Sequence, residues 1–131
     1  MYLREYRPED YPMLTRWWKA HGWPGVSAAI LPKLGLIIED NGQPIVAGFV
    51  YMDNSVGVAF LEWVVGAPEA TGRQIVAGIG TLIDFAGKRV LELDYGVLLT
   101  ATNKEALIRL YEKNGFQKTD EGLTHLVKIL R

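Results

Sequence analysis

Asp40-Asn41-Gly42 separates two runs of β-forming residues, Gly35 to Glu39 and Ile45 to Met52. Asn-Gly suits a two-residue turn whose central residues both take positive φ, and the twist of that turn matches an antiparallel hairpin. A second turn signal, Asp53-Asn54-Ser55, leads into the apolar run Val56 to Val65. Together these segments predict three antiparallel strands in a meander.

What flanks the meander is mostly helical. Upstream, Leu3 to Tyr6 alternates weakly as a first strand, and Asp10 and Pro12 suit the N-cap and first turn of a helix. Met13, Leu14, Trp17 and Trp18 give that helix an apolar stripe, and Gly22 stops it. Adjacent helical positions point in different directions, so Trp17 and Trp18 are not both expected in the core; one should line a surface or cleft. Trp23-Pro24-Gly25 is a turn, and Ser27 to Leu31 reads as a short second helix closed by Pro32. Downstream, Arg73 to about Leu93 is the longest helical candidate, with Ile75, Ile79, Leu82, Ile83 and Ala86 broadly on one face. Gly78, Gly80 and Gly87 each weaken it by roughly 1 kcal/mol relative to Ala. Val97-Leu98-Leu99 is a short continuous apolar run, as expected of a strand buried on both faces.

Thr102 and Glu105 then have the spacing of a capping box, and Leu107, Leu110 and Tyr111 recur at helical spacing. Asn114-Gly115 ends the helix. Strands near Phe116 to Thr119 and Thr124 to Leu130 follow, joined by a turn at Asp120-Glu121-Gly122. The full order is β-α-α-β-β-β-α-β-α-β-β, an α+β arrangement of a mixed sheet flanked by helices. At 131 residues this is most simply one domain, residues 1–131.

The stretch from Thr102 to Phe116 also carries a resemblance. An Asn after a buried strand, then a helix running into Leu110-Tyr111-Glu112-Lys113-Asn114-Gly115-Phe116, is similar to the C-terminal signature of GNAT-family N-acetyltransferases. The element order agrees with the GNAT fold along nearly the whole chain. The resemblance implies an acetyl-CoA-dependent enzyme in which Asn103 faces the pantetheine arm and Tyr111 serves as general acid at the thioester sulfur. It further implies that backbone groups at Val64 and Val65 align pantetheine. The plain alternatives are that Tyr111 is one more member of an apolar stripe and Asn103 a second capping residue.

Such an enzyme must hold a pyrophosphate, and the family does so with Arg/Gln-x-x-Gly-x-Gly/Ala after the fourth strand. The corresponding stretch here is Gly66-Ala67-Pro68-Glu69-Ala70-Thr71-Gly72-Arg73-Gln74-Ile75. Pro68-Glu69 aligns with the family's Pro-Glu, so Gly72 becomes the first motif Gly, Glu69 stands where Arg or Gln is usual, and Gln74 takes the second small position. The motif is degenerate; Arg73 restores a cation, and the helix start still favours an anion. Gly78-x-Gly80 lies too far along to be this loop and reads as a packing feature.

Glu62 lies inside the Val56–Val65 run, on a face with Phe60 and Val64 by the two-residue period. A carboxylate there is expected to be partly desolvated, with a raised pKa that suits a general base for an ammonium acceptor. The bland alternative is an Arg-paired or solvent-facing Glu. His21 and His125 have structural readings, at a helix end and on a strand face, and no His/Asp/Glu spacing suggests a metal.

Composition removes several classes. A net charge of −1 gives no case for nucleic acid or an anionic membrane, and the Val56–Val65 run is too short to span a bilayer. The chain has no cysteine, which excludes disulfides and thiolate chemistry and fits a cytoplasmic location. The expected function is acetyl transfer to a primary amine on a small molecule or peptide. The rival is a GNAT-fold protein without catalysis, a binding or assembly module that forms a homodimer or meets a partner through the Trp17/Trp18 face.

Overall fold

A computed structural model describes all of residues 1–131. The chain forms two compact units, Met1–Ala101 and Thr102–Arg131. In the first, β1 (Tyr2–Glu5) is followed by a 3₁₀ turn (Pro8–Asp10), α1 (Tyr11–Ala20) and a second 3₁₀ turn (Ala28–Ile30). Then come β2 (Leu34–Asp40), β3 (Gln43–Met52), β4 (Val58–Gly66), α2 (Gly72–Glu92) and β5 (Val97–Thr100). The sheet order is β1-β2-β3-β4-β5, antiparallel throughout except for the parallel β4–β5 pair.

The meander forms as the turn residues require. Asn41 and Gly42 have φ of 51° and 77°, and Asp40 pairs with Gln43 across the two-residue loop. At the next turn, Asp53 Oδ1 accepts from the N–H groups of Ser55 (2.7 Å) and Val56 (3.1 Å). Helix α2 covers one sheet face through Ile79, Leu82, Ile83, Ala86 and Val90, all buried. A Cβ on Gly78 would lie 2.9 Å from Val46 Cγ2, so this glycine sets how closely helix and sheet approach.

On the other face, Leu14, Trp17 and Trp18 of α1 pack with Val26, Ile37, Ala47, Phe49 and Val65. Both tryptophans are 1% exposed and belong to the core cluster, and Trp18 also forms part of the wall of a pocket, so one of the pair lines a cleft as expected while Trp17 is wholly core. The chain segment after α1 folds back over it and widens the covered stripe. Tyr11 Oη donates to the Val26 carbonyl (2.7 Å), and the Tyr11 ring meets Trp18 edge-on at 6.2 Å. The two indoles therefore offer almost no exposed surface of their own for a docking face. The Ser27–Leu31 helix is reduced to the 3₁₀ turn, started by Ser27 Oγ accepting from Ala29 N–H (3.2 Å).

Strand β5 also departs from expectation. It is an edge strand, and Val97 and Leu99 stay 47% and 40% exposed instead of buried on both faces. The cluster under α1 reaches β2, β3 and β4 but includes no β5 residue, so that side of β5 is uncovered.

In the second unit α3 spans Glu105–Lys113. Its start is not the expected capping box: Lys104 occupies the N-cap without a side-chain cap bond, and Thr102 Oγ1 accepts from Lys104 N–H (3.2 Å) in a local turn. Its end is as read, with Gly115 at φ 96° and Phe116 N–H donating to Tyr111 O (3.1 Å). The two strands expected over 116–119 and 124–130 do not form. Alternation alone makes no strand without a neighbour to complete its hydrogen bonds, and Leu126 and Val127 remain 91% and 85% exposed.

Asp10 does not cap α1. Its carboxylate accepts from Arg4 Nη1 and Nη2 (2.8 Å each) and from Arg7 N–H (2.8 Å), while Arg4 Nε donates to Glu39 (2.9 Å). The Arg4 side chain is 18% exposed. Its hydrogen bonds, opposed by burial and helped by Arg7, hold the Asp10 carboxyl below its ordinary 3.8. A carboxyl depressed by folding stabilises the protein above its unfolded pKa and ceases to as pH falls through the folded one. Arg4→Ala is therefore expected to cost about 2 kcal/mol at pH 7 and clearly less at about pH 2. Urea melts at the two pH values check this; equal losses would show that the ion pairs do not carry the effect.

Candidate functional site

The site begins with an irregularity between β3 and β4. Phe49 pairs with Glu62, but the next registered pair is Ala47 with Val65, so Trp63 and Val64 together oppose Gly48. This is a β-bulge, with Trp63 at φ 57°. A Cβ on Gly48 would lie 2.7 Å from Leu82 Cδ2 and 3.4 Å from Val64 Cγ2. Glycine there lets Val64 turn toward α2 beneath the bulge.

The bulge shifts the alternation of side chains. Glu62 pairs with Phe49 and Val65 with Ala47, both in the cluster under α1, so Glu62 shares its face with Val65 rather than with Val64. Its companionship with Phe60, which pairs with Tyr51, is as expected. Glu62 is half-buried.

Just beyond the bulge the sheet divides. Parallel pairing with β5 ends at Leu61↔Thr100, where β5 stops, while β4 runs on to Gly66. Thr100 Oγ1 donates to the Leu61 carbonyl (2.8 Å) and closes the paired part. At the far end His21 Nε2 lies 2.9 Å from the Gly66 carbonyl. Between these two points the β4 backbone, including Val64 and Val65, has a strand neighbour on the β3 side alone.

This segment leads through residues 67–71 into α2. Thr71 Oγ1 accepts from Gln74 N–H (3.1 Å) and Gln74 Oε1 from Thr71 N–H (2.9 Å), a complete capping box. Gln74 Nε2 donates to Asp40 (3.0 Å), so the Gln74 side chain is fully engaged in structure. The first-turn N–H groups of Gly72 and Arg73 lie outside the box. Nothing lies within 4 Å of a Cβ built on Gly72, and the Arg73 side chain is exposed. Glu69 forms an ion pair with Arg16, whose hydrogen bond holds the carboxyl below its usual range. The negative charge in the arginine/glutamine position is thus neutralised by a residue of α1.

Aromatic side chains surround the bulge. Trp63 Nε1 donates to Tyr51 Oη (2.7 Å), which donates to the Ile30 carbonyl (2.7 Å). His21 stacks on Trp23 at 5.0 Å. Nothing in the sequence reading singled out Trp63 or Gly48; the one available signal was a glycine inside an otherwise apolar strand.

Glu62, Val64, Val65, Gly72, Arg73 and Gln74 all belong to the first unit, whereas Asn103 and Tyr111 belong to the second. Asn103 is exposed just before the α3 N-cap, and with Thr102 serving the turn its amide makes no hydrogen bond within the chain. Tyr111 is buried, its ring 5.3 Å from Phe116. No helix is long and apolar enough to cross a membrane.

No family model and no curated protein matches the chain. Solved structures do. The ribosomal-protein-S18-alanine N-acetyltransferase from Escherichia coli superposes with a TM-score of 0.72 at 20% identity, covering 91% of this chain and 79% of that one. A predicted acetyltransferase with acetyl-CoA from Clostridium acetobutylicum gives 0.65 at 18%, covering 95% of each. A transcriptional regulator from Bacillus halodurans C-125 gives 0.72 at 18%, covering 96% and 99%. Likeness at such identities shows the fold.

Proposed function

We propose that this chain, which has the fold of the GNAT N-acetyltransferases, transfers acetyl from acetyl-CoA directly to a primary amine. The observation that carries this reading is the parting of β4 from β5 beyond Leu61, which leaves Val64 and Val65 without a strand on one side. An extended chain bearing amides, such as pantetheine, can take the missing strand's place by backbone hydrogen bonding. The α2 start lies a short loop further on, where the N–H groups of Gly72 and Arg73 and the Arg73 guanidinium suit phosphate oxygens. The residues present therefore fit the cofactor, with Gln74 contributing to the helix cap instead of to phosphate.

When bound, acetyl-CoA supplies the thioester, whose C–S bond breaks as the amine forms its C–N bond, giving an amide and a thiol. Glu62 takes the proton that the acceptor nitrogen loses. Tyr111 gives a proton to the departing sulfur and Asn103 holds the pantetheine arm, roles that rest on the family resemblance. The engaged Gln74 also favours the second reading, a GNAT-fold module that binds without catalysis.

Calorimetric titration with acetyl-CoA tests the proposal. Saturable one-to-one binding is expected, weakened about tenfold in Arg73→Ala, the size of one charge-assisted contact of about 1.5 kcal/mol. Absence of binding at high micromolar concentrations of protein and ligand would sink it.

A further inference from the structure

A cavity of about 340 Å³ lies between the bulge and the segment after α1, walled by Trp18, Trp23, Pro24, Val26, Ile30 and Trp63. Its volume is at the lower end of small-molecule pockets, roughly 300–1,000 Å³. No charged side chain lines it. The pocket is half open, and an ionised group seated against its walls would lose part of its water and gain no partner, so an uncharged body is favoured there. Indole faces and aliphatic walls favour a flat apolar body.

The walls are fixed in place. Trp63 holds a left-handed backbone conformation (φ 57°) that a bulky residue seldom adopts, so the surrounding structure must enforce it. The bulge opposite Gly48 sets that conformation, and the relay of Trp63 to Tyr51 to the Ile30 carbonyl then fixes the indole and ties the strand wall to the opposite wall. Trp23 is steadied by the His21 ring, which reaches the Gly66 carbonyl at the other end of the open β4 segment. Both aromatic walls are thus anchored on the strand proposed to align the acyl donor. Despite the bonding, Trp63 keeps 38% of its surface exposed, so part of the indole remains available to a ligand.

We infer that this cavity takes the body of the acceptor, and that the acceptor is a primary amine carrying one aromatic ring on a short uncharged linker. Its amino group stays outside the apolar walls, on the side of Glu62, the residue preceding Trp63. The assignment rests on the acetyl-transfer reading for the meaning of "acceptor", but the cavity's preference for an aromatic amine is measurable without it. Polyamines and lysine-rich peptides, whose bodies carry charge or long flexible chains, are disfavoured by the same walls.

Binding to the full chain, without acetyl-CoA, is followed by tryptophan fluorescence and calorimetry. 2-Phenylethylamine is expected to bind at least tenfold more tightly than spermidine. Trp63→Gly, which suits the positive φ, should lose that preference while keeping the circular dichroism spectrum. Tyr51→Phe, which removes the relay and keeps the ring, should weaken 2-phenylethylamine severalfold and serves if Trp63→Gly does not fold. Equal or tighter spermidine binding, or 2-phenylethylamine binding indifferent to both substitutions, overturns the assignment. Thiol release is then measured with acetyl-CoA, and with no cysteine in the chain a thiol reagent reads only free CoA. Selective binding with no thiol released by any amine would retain the cavity's preference and remove the transfer reading. Fastest release with spermidine would do the reverse.

Discussion

Trp17→Ala is expected to lower the free energy of unfolding by about 3–5 kcal/mol, a large part of the roughly 5–15 kcal/mol typical of a domain. Trp17 is 1% exposed, in a cluster with Leu14, Ile37, Phe49 and Val65, so alanine would leave a cavity bounded by sheet and helix. Removing the side chain loses its burial and its packing together. The indole N–H complicates this simple account, because Trp17 Nε1 is buried with no hydrogen-bond partner. An unsatisfied buried donor carries a desolvation penalty of about 1–3 kcal/mol, which phenylalanine would remove. Trp17→Phe should therefore cost less than about 2 kcal/mol, a loss of volume partly offset by loss of that penalty. Urea unfolding of both variants at pH 7 checks the pair of values. A cost below about 1 kcal/mol for the alanine variant would mean that Trp17 is not in the core.

That cluster also shows what a sequence withholds. The apolar stripe of α1 was legible, but the burial of both adjacent tryptophans depends on Val26 and Tyr11 bringing the following segment back across the helix. No periodicity within α1 encodes such a return. The Asn41-Gly42 turn was legible because its conformation is decided locally, by two residues that tolerate positive φ. The bulge at Trp63 and Val64 was not, since it is decided across the sheet by Gly48 and beneath it by Leu82. This is why Glu62 kept its company with Phe60 but exchanged Val64 for Val65. Thr71-x-x-Gln74 has the spacing of a capping box, and the same Gln74 falls at a phosphate-loop position; of the two roles the spacing allows, the cap is the one that forms. Segment 124–130 has the alternation of a strand, and alternation specifies a face without supplying the neighbour.

If Glu62 is the proton acceptor of the proposed acetyl transfer, Glu62→Gln is expected to reduce kcat by about 10²–10⁴-fold, the usual worth of a positioned general base. Glutamine keeps the shape and can still accept a hydrogen bond, but it cannot hold the proton an amine must lose. On the proposed reading acetyl-CoA binding should be unchanged, because pantetheine would be held by the backbone of the open β4 segment and the bulge rests on Gly48 and Leu82. The pH dependence separates proton transfer from a merely structural role. An alkyl ammonium resembles a lysine side chain, with a pKa of about 10.4. As pH rises toward that value, more acceptor arrives already neutral and less depends on a protein base. The ratio of wild-type to variant kcat/KM should therefore shrink between about pH 7 and pH 10. A structural defect would leave that ratio constant, and a variant with undiminished kcat at pH 7 would remove Glu62 from the mechanism.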